Sequence, residues 1–443
     1  MTQHPEQTDC FLCTLDQRRC AVEQLSGRIF AARERAINGE SLPFITIDTG
    51  TILVSLALTG HYRSLVKQLA AVDLRTHRLT LRVYHLPNAP EIGAYKERPL
   101  HRYTANSYTL AVLEPDTLLN ITDLSQADYC SRQYLIQRLV ASPPTAAMMR
   151  GNLVHYAFKE LLKAYDRGDL ENGHNGAAPA TPLDALTGYI EQSLAQNTIE
   201  MALANVPVET MREDVAPHLE SLAVWFQHQS GTLWDAPLAL TGEHDEDEDA
   251  AQNRNQVRAE TFLLAPEIGL RGRLDLFWQQ ASRQRFLELK TGGGANLPKS
   301  SHRSQALGYH AQLAVRRDPK AKRALATLLY SGTPGEAEAH GVPFDIRNMQ
   351  RVNELRNLLV LSHVSGIPAA PPGPSRCAKC AVHQQCWQVS DLLGWQPPEL
   401  DEEIRQEYGR ASPTQGAINL APTEGDRAFF AKFYHLLRLE ERE

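Results

Sequence analysis

Two short apolar segments in the second half of the chain carry acidic residues inside patterns that are typical of buried strands. Asp275 lies in GRLDLFW, and Glu288 and Lys290 lie in FLELKTG, with a polar turn at about residues 279–284 between them. Residues two apart on a strand share a face, so Glu288 and Lys290 point the same way while the intervening leucines enter a core. A hairpin of the two segments brings both carboxylates to one cation.

The same carboxylates suggest a chemistry. Carboxylate oxygens are the ligands of hard divalent cations such as Mg²⁺ or Mn²⁺, and such a cation can activate a water molecule. His155, on a predicted helix with the sequence GNLVHYAF, offers an imidazole that suits Mn²⁺ as a third ligand. Taken alone, the E-x-K pair predicts only a salt bridge at a strand edge, and a lone histidine is more often a core or surface residue.

A helix predicted about fifteen residues further on adds polar groups to this region. Gln305 and Tyr309 are four positions apart in HRSQALGYH and therefore share one helical face, which could look towards a substrate beside the metal. Arg273 and Arg303 flank the motifs and could contact phosphates, although each alone is typical of a solvated surface charge. We expect these four residues on the substrate side.

Seven cysteines fall in clusters, which favours metal ligands over disulfides in a reducing compartment. Three of them form C-x2-C-x5-C, at Cys377, Cys380 and Cys386, and Cys130 is the candidate for a fourth thiolate. The spacing alone fits either a four-cysteine zinc site or an iron–sulfur cluster.

A second group of cysteines stands at the amino terminus. Cys10, Cys13 and Cys20 form C-x2-C-x6-C, and with His4 nearby they could hold Zn²⁺. Unliganded cysteines near a chain terminus are an equal alternative.

The order of predicted elements indicates an α/β protein with one large unit and smaller attachments. We expect an N-terminal cysteine segment at 1–40, a β-rich unit at 41–120, a main domain at 121–390 and a helical tail at 391–443. The β-rich unit could be an oligonucleotide-binding barrel whose tyrosines stack on bases, although such tyrosines are more often core residues. These tyrosines are Tyr62, Tyr84, Tyr103 and Tyr108.

Charge and hydropathy set limits on the class of protein. The net charge is -7, but six carboxylates lie in one segment at 243–249, so the remainder is nearly neutral and could hold a local basic groove. No window is apolar enough for a membrane helix, and the amino terminus does not resemble a secretory signal. We expect a soluble, cytoplasmic protein without a membrane partner.

Four motifs in this order and at these separations resemble those of the PD-(D/E)XK, RecB-like nucleases. The motifs are GNLVHYAF, IGLRGRLDLFW, FLELKTG and HRSQALGYH. The chain is most similar to the nuclease half of the DNA replication ATP-dependent helicase/nuclease family, and it also resembles the CRISPR-associated iron–sulfur exonucleases. The likeness covers about residues 122–387.

The resemblance implies a restriction-endonuclease-like mixed sheet flanked by helices, beside the small barrel-like N-terminal unit. It implies that His155, Asp275 and Glu288 bind Mg²⁺ or Mn²⁺, that Lys290 is the catalytic lysine, and that Gln305 and Tyr309 belong to the substrate-side motif. The same resemblance implies a 4Fe-4S cluster, held by Cys130, Cys377, Cys380 and Cys386.

The expected activity is metal-dependent hydrolysis of single-stranded or flapped DNA, in replication, repair or defence against foreign DNA. The expected partner is a helicase, either a separate subunit or a C-terminal half that this chain lacks. The rival hypothesis is a non-catalytic DNA-binding or scaffold subunit that keeps the fold, against which the intact D…ExK motif argues.

Overall fold

The computed structural model describes most of the chain. The described residues are 10–13, 19–37, 39–139, 145–167, 169–172, 181–234, 256–280, 283–292, 298–316, 324–366, 373–377, 380, 382–393, 428 and 431–434. His4, the acidic segment at 243–249 and most of the predicted tail lie outside them.

Seven strands near the amino terminus form the first sheet, in the order β5-β6-β3-β2-β1-β4-β7. They are β1 (Val22–Ile37), β2 (Glu40–Asp48), β3 (Leu53–Ala57), β4 (Thr80–Leu86), β5 (Glu91–Tyr95), β6 (Arg98–Thr104) and β7 (Leu110–Leu113). All neighbours are antiparallel except β3 and β6. The β-rich unit is therefore confirmed, and over its described residues the strand order is that of an open sheet rather than a closed barrel.

The second sheet holds the strands that carry the acidic motif. It consists of β8 (Leu119–Asn120), β9 (Gln256–Ala265), β10 (Leu270–Gln280), β11 (Arg283–Lys290), β12 (Leu325–Tyr330) and β13 (Glu338–Val342). Its order is β13-β12-β11-β10-β8, with β9 also paired to β10. The β8–β10 and β11–β12 pairs are parallel and the others antiparallel, so the expected mixed sheet is confirmed.

Helices flank both sheets. They are α1 (Arg63–Ala70), α2 (Ile121–Leu139), α3 (Ala146–Asp166), α4 (Asp169–Asn172), α5 (Pro182–Gln196), α6 (Thr198–Leu203), α7 (Val208–Trp234), α8 (Ser300–Ala314), α9 (Ile346–Ser365), α10 (Pro374–Cys377) and α11 (His383–Leu393). Within these described segments no helix has the length and apolar character needed to cross a membrane.

Two hydrophobic clusters cover opposite faces of the second sheet, as the alternation along β11 requires. Phe286 belongs to a large cluster that continues through α8 and α9 into the first sheet. Leu287 and Leu289 belong to a second cluster, which is closed by α3, α5 and α7. The sheet is thus a middle layer between two helical layers, and the expected α/β fold is confirmed.

A row of polar side chains on α9 forms hydrogen bonds with the free edge of β7 in the first sheet. Asn357 accepts a hydrogen bond from the Leu113 amide at 2.9 Å and donates to the Ala111 carbonyl at 2.7 Å. Fully buried Arg356 donates to the carbonyls of Glu114 and Thr117 at 2.6 and 2.9 Å. These side chains supply the partners that another strand would otherwise provide.

Two of the four tyrosines proposed for base stacking are core residues. Tyr62 and Tyr84 are 2% and 4% exposed, and their hydroxyls donate to Gln350 Oε1 at 2.8 Å and to the Glu267 carbonyl at 2.9 Å. Burial on this scale removes both rings from any nucleic acid, so the stacking hypothesis is wrong for this pair.

Candidate active site

The acidic motif lies where β9 and β10 depart from regular strand geometry. Leu274 packs in the large cluster and Leu276 in the second one, although residues two apart on a regular strand share a face. The paired positions of the two strands skip Asp275, and Glu260 on β9 has a φ of +54°. Irregularities of this kind are enriched beside active sites, where they redirect a side chain.

Asp275 is held from two sides. Its Oδ2 accepts a hydrogen bond from the Leu289 amide at 2.7 Å, and its Oδ1 lies 3.2 Å from His155 Nδ1 on α3. Burial alone would raise the pKa of Asp275, but His155 and the Leu289 amide lower it below the usual value. Burial opposes protonation of His155, yet the charge of Asp275 raises the histidine's pKa. The pair therefore favours the charged form of each partner.

Helix α3 places His155 beside the second sheet, within reach of Asp275. The helix begins after Thr145, whose side chain accepts a hydrogen bond from the Met148 amide at 3.3 Å. Buried residues at helical spacing, such as Leu153 and Leu161, attach the helix to the second cluster. His155 lies beside this apolar stripe and is half-buried.

Glu288 and Lys290 share one face of β11, as the alternation predicted. Lys290 Nζ donates to Glu288 Oε1 at 2.9 Å and to Gln305 Oε1 at 2.7 Å, and Gln305 Nε2 also donates to Glu288 Oε1. The register that pairs Leu276 with Leu287 continues to set Asp275 beside Glu288. The structure therefore brings His155, both acidic residues and the lysine to one place.

The second oxygen of Glu288 has no partner. Glu288 is 3% exposed, and its buried Oε2 meets no hydrogen-bond donor within the described part of the chain. Burial and the nearby charge of Asp275 raise the pKa of Glu288 to about 7. A buried carboxylate oxygen without a donor is costly unless a cation binds it, so this oxygen fits a divalent metal ligand.

The four residues expected on the substrate side fall into two groups. Gln305 and Tyr309 are buried on α8, where Gln305 joins Lys290 and Glu288, and the Tyr309 hydroxyl donates to the Arg273 carbonyl at 2.7 Å. Arg273 and Arg303 are exposed, and Arg273 Nε pairs with Glu260 at 2.7 Å. In this arrangement the α8 pair braces the site, and the two arginines lie at its surface.

Helix α8 differs from the amphipathic helix that its sequence predicts. Every residue from 304 to 314 is buried, because α2, α9 and the second sheet enclose the helix. Glycines allow this close approach: a Cβ at Gly308 would lie 2.8 Å from Ile121 on α2. Because α8 is enclosed, its polar side chains form hydrogen bonds with groups of the site.

Cys130, Cys377, Cys380 and Cys386 line a single pocket. Cys130 interrupts α2 with an extended backbone conformation, φ -164° and ψ 116°, and the other three come from the segment around α10 and α11. Burial raises the pKa of Cys377, Cys380 and Cys386, which opposes thiolates unless a cationic centre binds them. The structure thus brings Cys130 together with three cysteines that lie roughly 250 residues later in the sequence.

The N-terminal cysteines also converge, with a partner that sequence analysis missed. Cys10, Cys13, Cys20 and His85 place one ligand atom each within 4.8 Å of all the others. His85 lies at the end of β4, more than sixty residues from the cysteines, and nothing in the local sequence marks it as a ligand.

A family model described as "DNA replication factor Dna2" matches residues 83–280. The matched segment begins in β4 and ends with β10, so it contains Cys130, His155 and Asp275 but stops before Glu288 and Lys290.

Two individual proteins extend the comparison. The DNA replication ATP-dependent helicase/nuclease dna2 of Schizosaccharomyces pombe is 21% identical over 406 residues, which cover 86% of this chain and 26% of that protein. The solved structure titled "Crystal structure of SSO0001" is 14% identical, with a TM-score of 0.26, and covers 61% of this chain and 86% of its own. A TM-score this low establishes no shared fold. The chain is therefore similar in sequence to Dna2 proteins, and it spans about a quarter of the length of the curated relative it matches.

Proposed function

We propose that this chain is a divalent-metal-dependent DNA nuclease of the PD-(D/E)XK class, with its active site at His155, Asp275, Glu288 and Lys290. The observation that carries the proposal is the buried Oε2 of Glu288, which finds no donor among the described residues and lies beside a second carboxylate and an imidazole. The similarity to Dna2 proteins, whose printed names include DNA replication and nuclease, supports DNA as the substrate.

Asp275, Glu288 and His155 would hold Mg²⁺ or Mn²⁺. The bound ion would polarise the scissile phosphate and lower the pKa of a water molecule. Mn²⁺ accepts imidazole together with carboxylates, so the mixed donor set fits this ion at least as well as Mg²⁺. Cation binding also removes the cost of burying two carboxylates side by side.

Lys290 would orient the attacking water as an ammonium group or, as the neutral amine, deprotonate it. Its side chain is 16% exposed, and its ammonium group is held between Glu288 and Gln305, so its position is fixed before substrate binds. Gln305 and Tyr309 would act as positioning residues behind the site. Arg273 and Arg303 would meet the phosphate backbone from the surface.

The four-cysteine pocket is proposed to hold a 4Fe-4S cluster. Cys130 belongs to α2, which packs on α8, while the other three thiols belong to the carboxyl-terminal side of the domain. Buried Arg132 donates to Ser390 at 3.3 Å across the same boundary and places a positive charge near the thiolates. A cluster would clamp the two ends of the nuclease domain together.

The substrate form and the partner are further parts of this proposal. We propose single-stranded or flapped DNA as the substrate and a helicase as the partner, as a separate subunit or as a further part of a longer protein. The curated relative is named a helicase/nuclease, and this chain matches 26% of it.

The decisive experiment measures cleavage of end-labelled single-stranded, duplex and flapped DNA with Mn²⁺ or Mg²⁺. Asp275→Asn keeps the acceptor for the Leu289 amide but removes the charge, and Lys290→Ala removes the ammonium. Each should lower cleavage at least ~100-fold. Lys163→Ala, which changes a half-exposed lysine on α3 paired with Glu160, is the matched control and should cleave normally.

Two outcomes would overturn the assignment. One is undiminished cleavage by either active-site variant. The other is wild-type protein that binds DNA but cuts none of the three substrates with either metal, as a non-catalytic scaffold subunit would.

The cluster has its own test. Purified protein should be brown, with iron and sulfide near four equivalents each per chain, as a 4Fe-4S centre requires. Cys386→Ser should lose most of both. A colourless protein with zinc bound by these four cysteines would reject the cluster.

A further inference from the structure

The four residues Cys10, Cys13, Cys20 and His85 have the dimensions of a closed tetrahedral metal site. The sulfur of Cys13 lies 3.4 Å from that of Cys10 and 3.3 Å from that of Cys20. His85 Nδ1 lies 3.7 Å from the Cys10 sulfur and 3.6 Å from the Cys13 sulfur. Zinc bonds of about 2.3 Å to sulfur and about 2.0–2.1 Å to nitrogen set tetrahedral edges of about 3.8 and 3.6 Å. The observed edges agree within half an ångström.

The local backbone supports a metal site. The Cys13 amide donates to the Cys10 carbonyl at 2.9 Å, which forms the tight turn that lets two cysteines three apart face one centre. The three cysteines are unpaired thiols, and an odd number of thiols cannot be satisfied by disulfides. A shared cation accounts for all three.

His85 adopts a backbone conformation that needs a reason. It is fully buried and has a φ of +59°, in a region that costs a non-glycine residue about 1–3 kcal/mol. The Thr109 hydroxyl donates to the His85 carbonyl at 2.8 Å and holds this conformation. The strained residue is the one that presents its ring nitrogen to the thiols.

We propose that Cys10, Cys13, Cys20 and His85 bind one structural Zn²⁺ ion that fastens the N-terminal segment to the first sheet. Four protein ligands leave no open position for a substrate, so the site is structural rather than catalytic. The segment also packs through Phe11, whose ring meets that of Tyr84 edge-on at 5.1 Å, and through fully buried Leu12. This inference does not depend on the proposed nuclease activity.

Zn²⁺ fits this donor set better than the Mg²⁺ or Mn²⁺ proposed for the active site. Thiolates are soft ligands that select zinc over Mg²⁺ or Mn²⁺. The ligands come from two neighbouring strands, since Cys20 lies two residues before β1 and His85 is the next-to-last residue of β4. The Ala21 amide donates to the Leu86 carbonyl at 2.8 Å beside the site. Metal binding would therefore stabilise the β1–β4 pair as well as the segment.

The test uses the full-length chain and elemental analysis for zinc and iron. Wild-type protein should carry one zinc, and Cys13→Ser and His85→Ala should lose it while keeping the iron. His101→Ala, on β6, is the control histidine and should keep the zinc. His85→Cys offers a fourth thiolate and should restore zinc binding, which separates ligand loss from general misfolding.

A spectroscopic measurement identifies the donors. After replacement by Co²⁺ alone, wild-type protein should show the visible bands of tetrahedral, thiolate-bound cobalt, and His85→Cys should strengthen the sulfur-to-cobalt band by one thiolate. A zinc content in Cys13→Ser and His85→Ala equal to that of the wild type, zinc that is lost in Cys130→Ser instead, or wild-type protein without zinc would each overturn the proposal.

Discussion

Replacing Glu288 by glutamine should make the metal-free protein more stable while it destroys activity. Glutamine keeps the shape of the side chain and the contact with Gln305, but it has no charge to bury. The pKa of Glu288 is raised from 4.5 to about 7 by burial and by the charge of Asp275. The folded state therefore holds a proton on Glu288 more tightly than the unfolded state does.

Proton linkage determines the sign and the size of the change in folding stability. A raised pKa means that folding stability is full below about pH 4.5 and falls as the pH rises to about 7, where the folded protein must carry the buried charge. The difference between the two pKa values corresponds to roughly 3 kcal/mol. The pKa of about 7 already includes the attraction of Lys290, so roughly 3 kcal/mol is the upper bound of the gain and we expect about 1–3 kcal/mol at pH 8.

The assay is thermal unfolding without added Mg²⁺ or Mn²⁺, at pH 5 and pH 8. An unfolding entropy of about 2.1 cal/mol/K per residue converts the gain to a rise of about 1–3 °C for a chain of this length. The rise should appear at pH 8 and be small at pH 5. Glu209→Gln, at an exposed position on α7, is the control and should change little at either pH.

Addition of Mn²⁺ should reverse the order of stability, because the cation stabilises the wild type and finds one carboxylate ligand fewer in Glu288→Gln. The reasoning is refuted if the variant is no more stable than the wild type at pH 8, or if it gains equally at both values of pH.

Three further changes test the packing around the site. Asn357→Ala should cost about 1–3 kcal/mol in urea unfolding, because the buried Leu113 amide loses its acceptor; a cost near zero would contradict the role given to α9. Gly272→Ala should cost about 1–3 kcal/mol and lower cleavage, because the new Cβ would lie 2.8 Å from the Tyr309 ring; normal stability and activity would contradict it. Gln305→Leu should lower kcat about 10- to 100-fold without changing DNA affinity, since the Gln305 amide bonds to Lys290 and Glu288 inside the site; a loss of affinity measured by anisotropy would assign it to substrate contact instead.

The arrangement of the acidic motif could be predicted because strand alternation is a local rule. Glu288 and Lys290 share a face whatever the rest of the fold does, and the neighbouring strand carries Asp275 within hydrogen-bonding reach of β11. The irregularity of the strand at Asp275 could not be predicted, because it depends on β9 and on the unusual backbone of Glu260.

The longest strand escaped sequence analysis for a related reason. β1, with the sequence VEQLSGRIFAARERAI, is rich in charged residues, and Ile29 is its fully buried hydrophobic residue in the described structure. A strand of this kind lacks the apolar alternation that marks a half-buried strand, and its pairing with β2 and β4 defines it instead. The first sheet therefore begins at Val22, before the β-rich unit expected at 41–120.

The cysteine sites show the same division between local and long-range information. Sequence spacing identified the clusters, and the structure gathered Cys130 with the three later cysteines around one pocket. The sequence could not identify His85 as the partner of the N-terminal cysteines. His85 lies beside them only because β4 pairs with β1.

The measurement that tests the central claim most directly is anomalous scattering from crystals of the wild-type chain soaked in Mn²⁺. The account predicts a manganese peak within coordination distance of Asp275, Glu288 and His155, and no such peak in Asp275→Asn. A peak at another place, or no peak at saturating Mn²⁺, would contradict a shared metal at these residues.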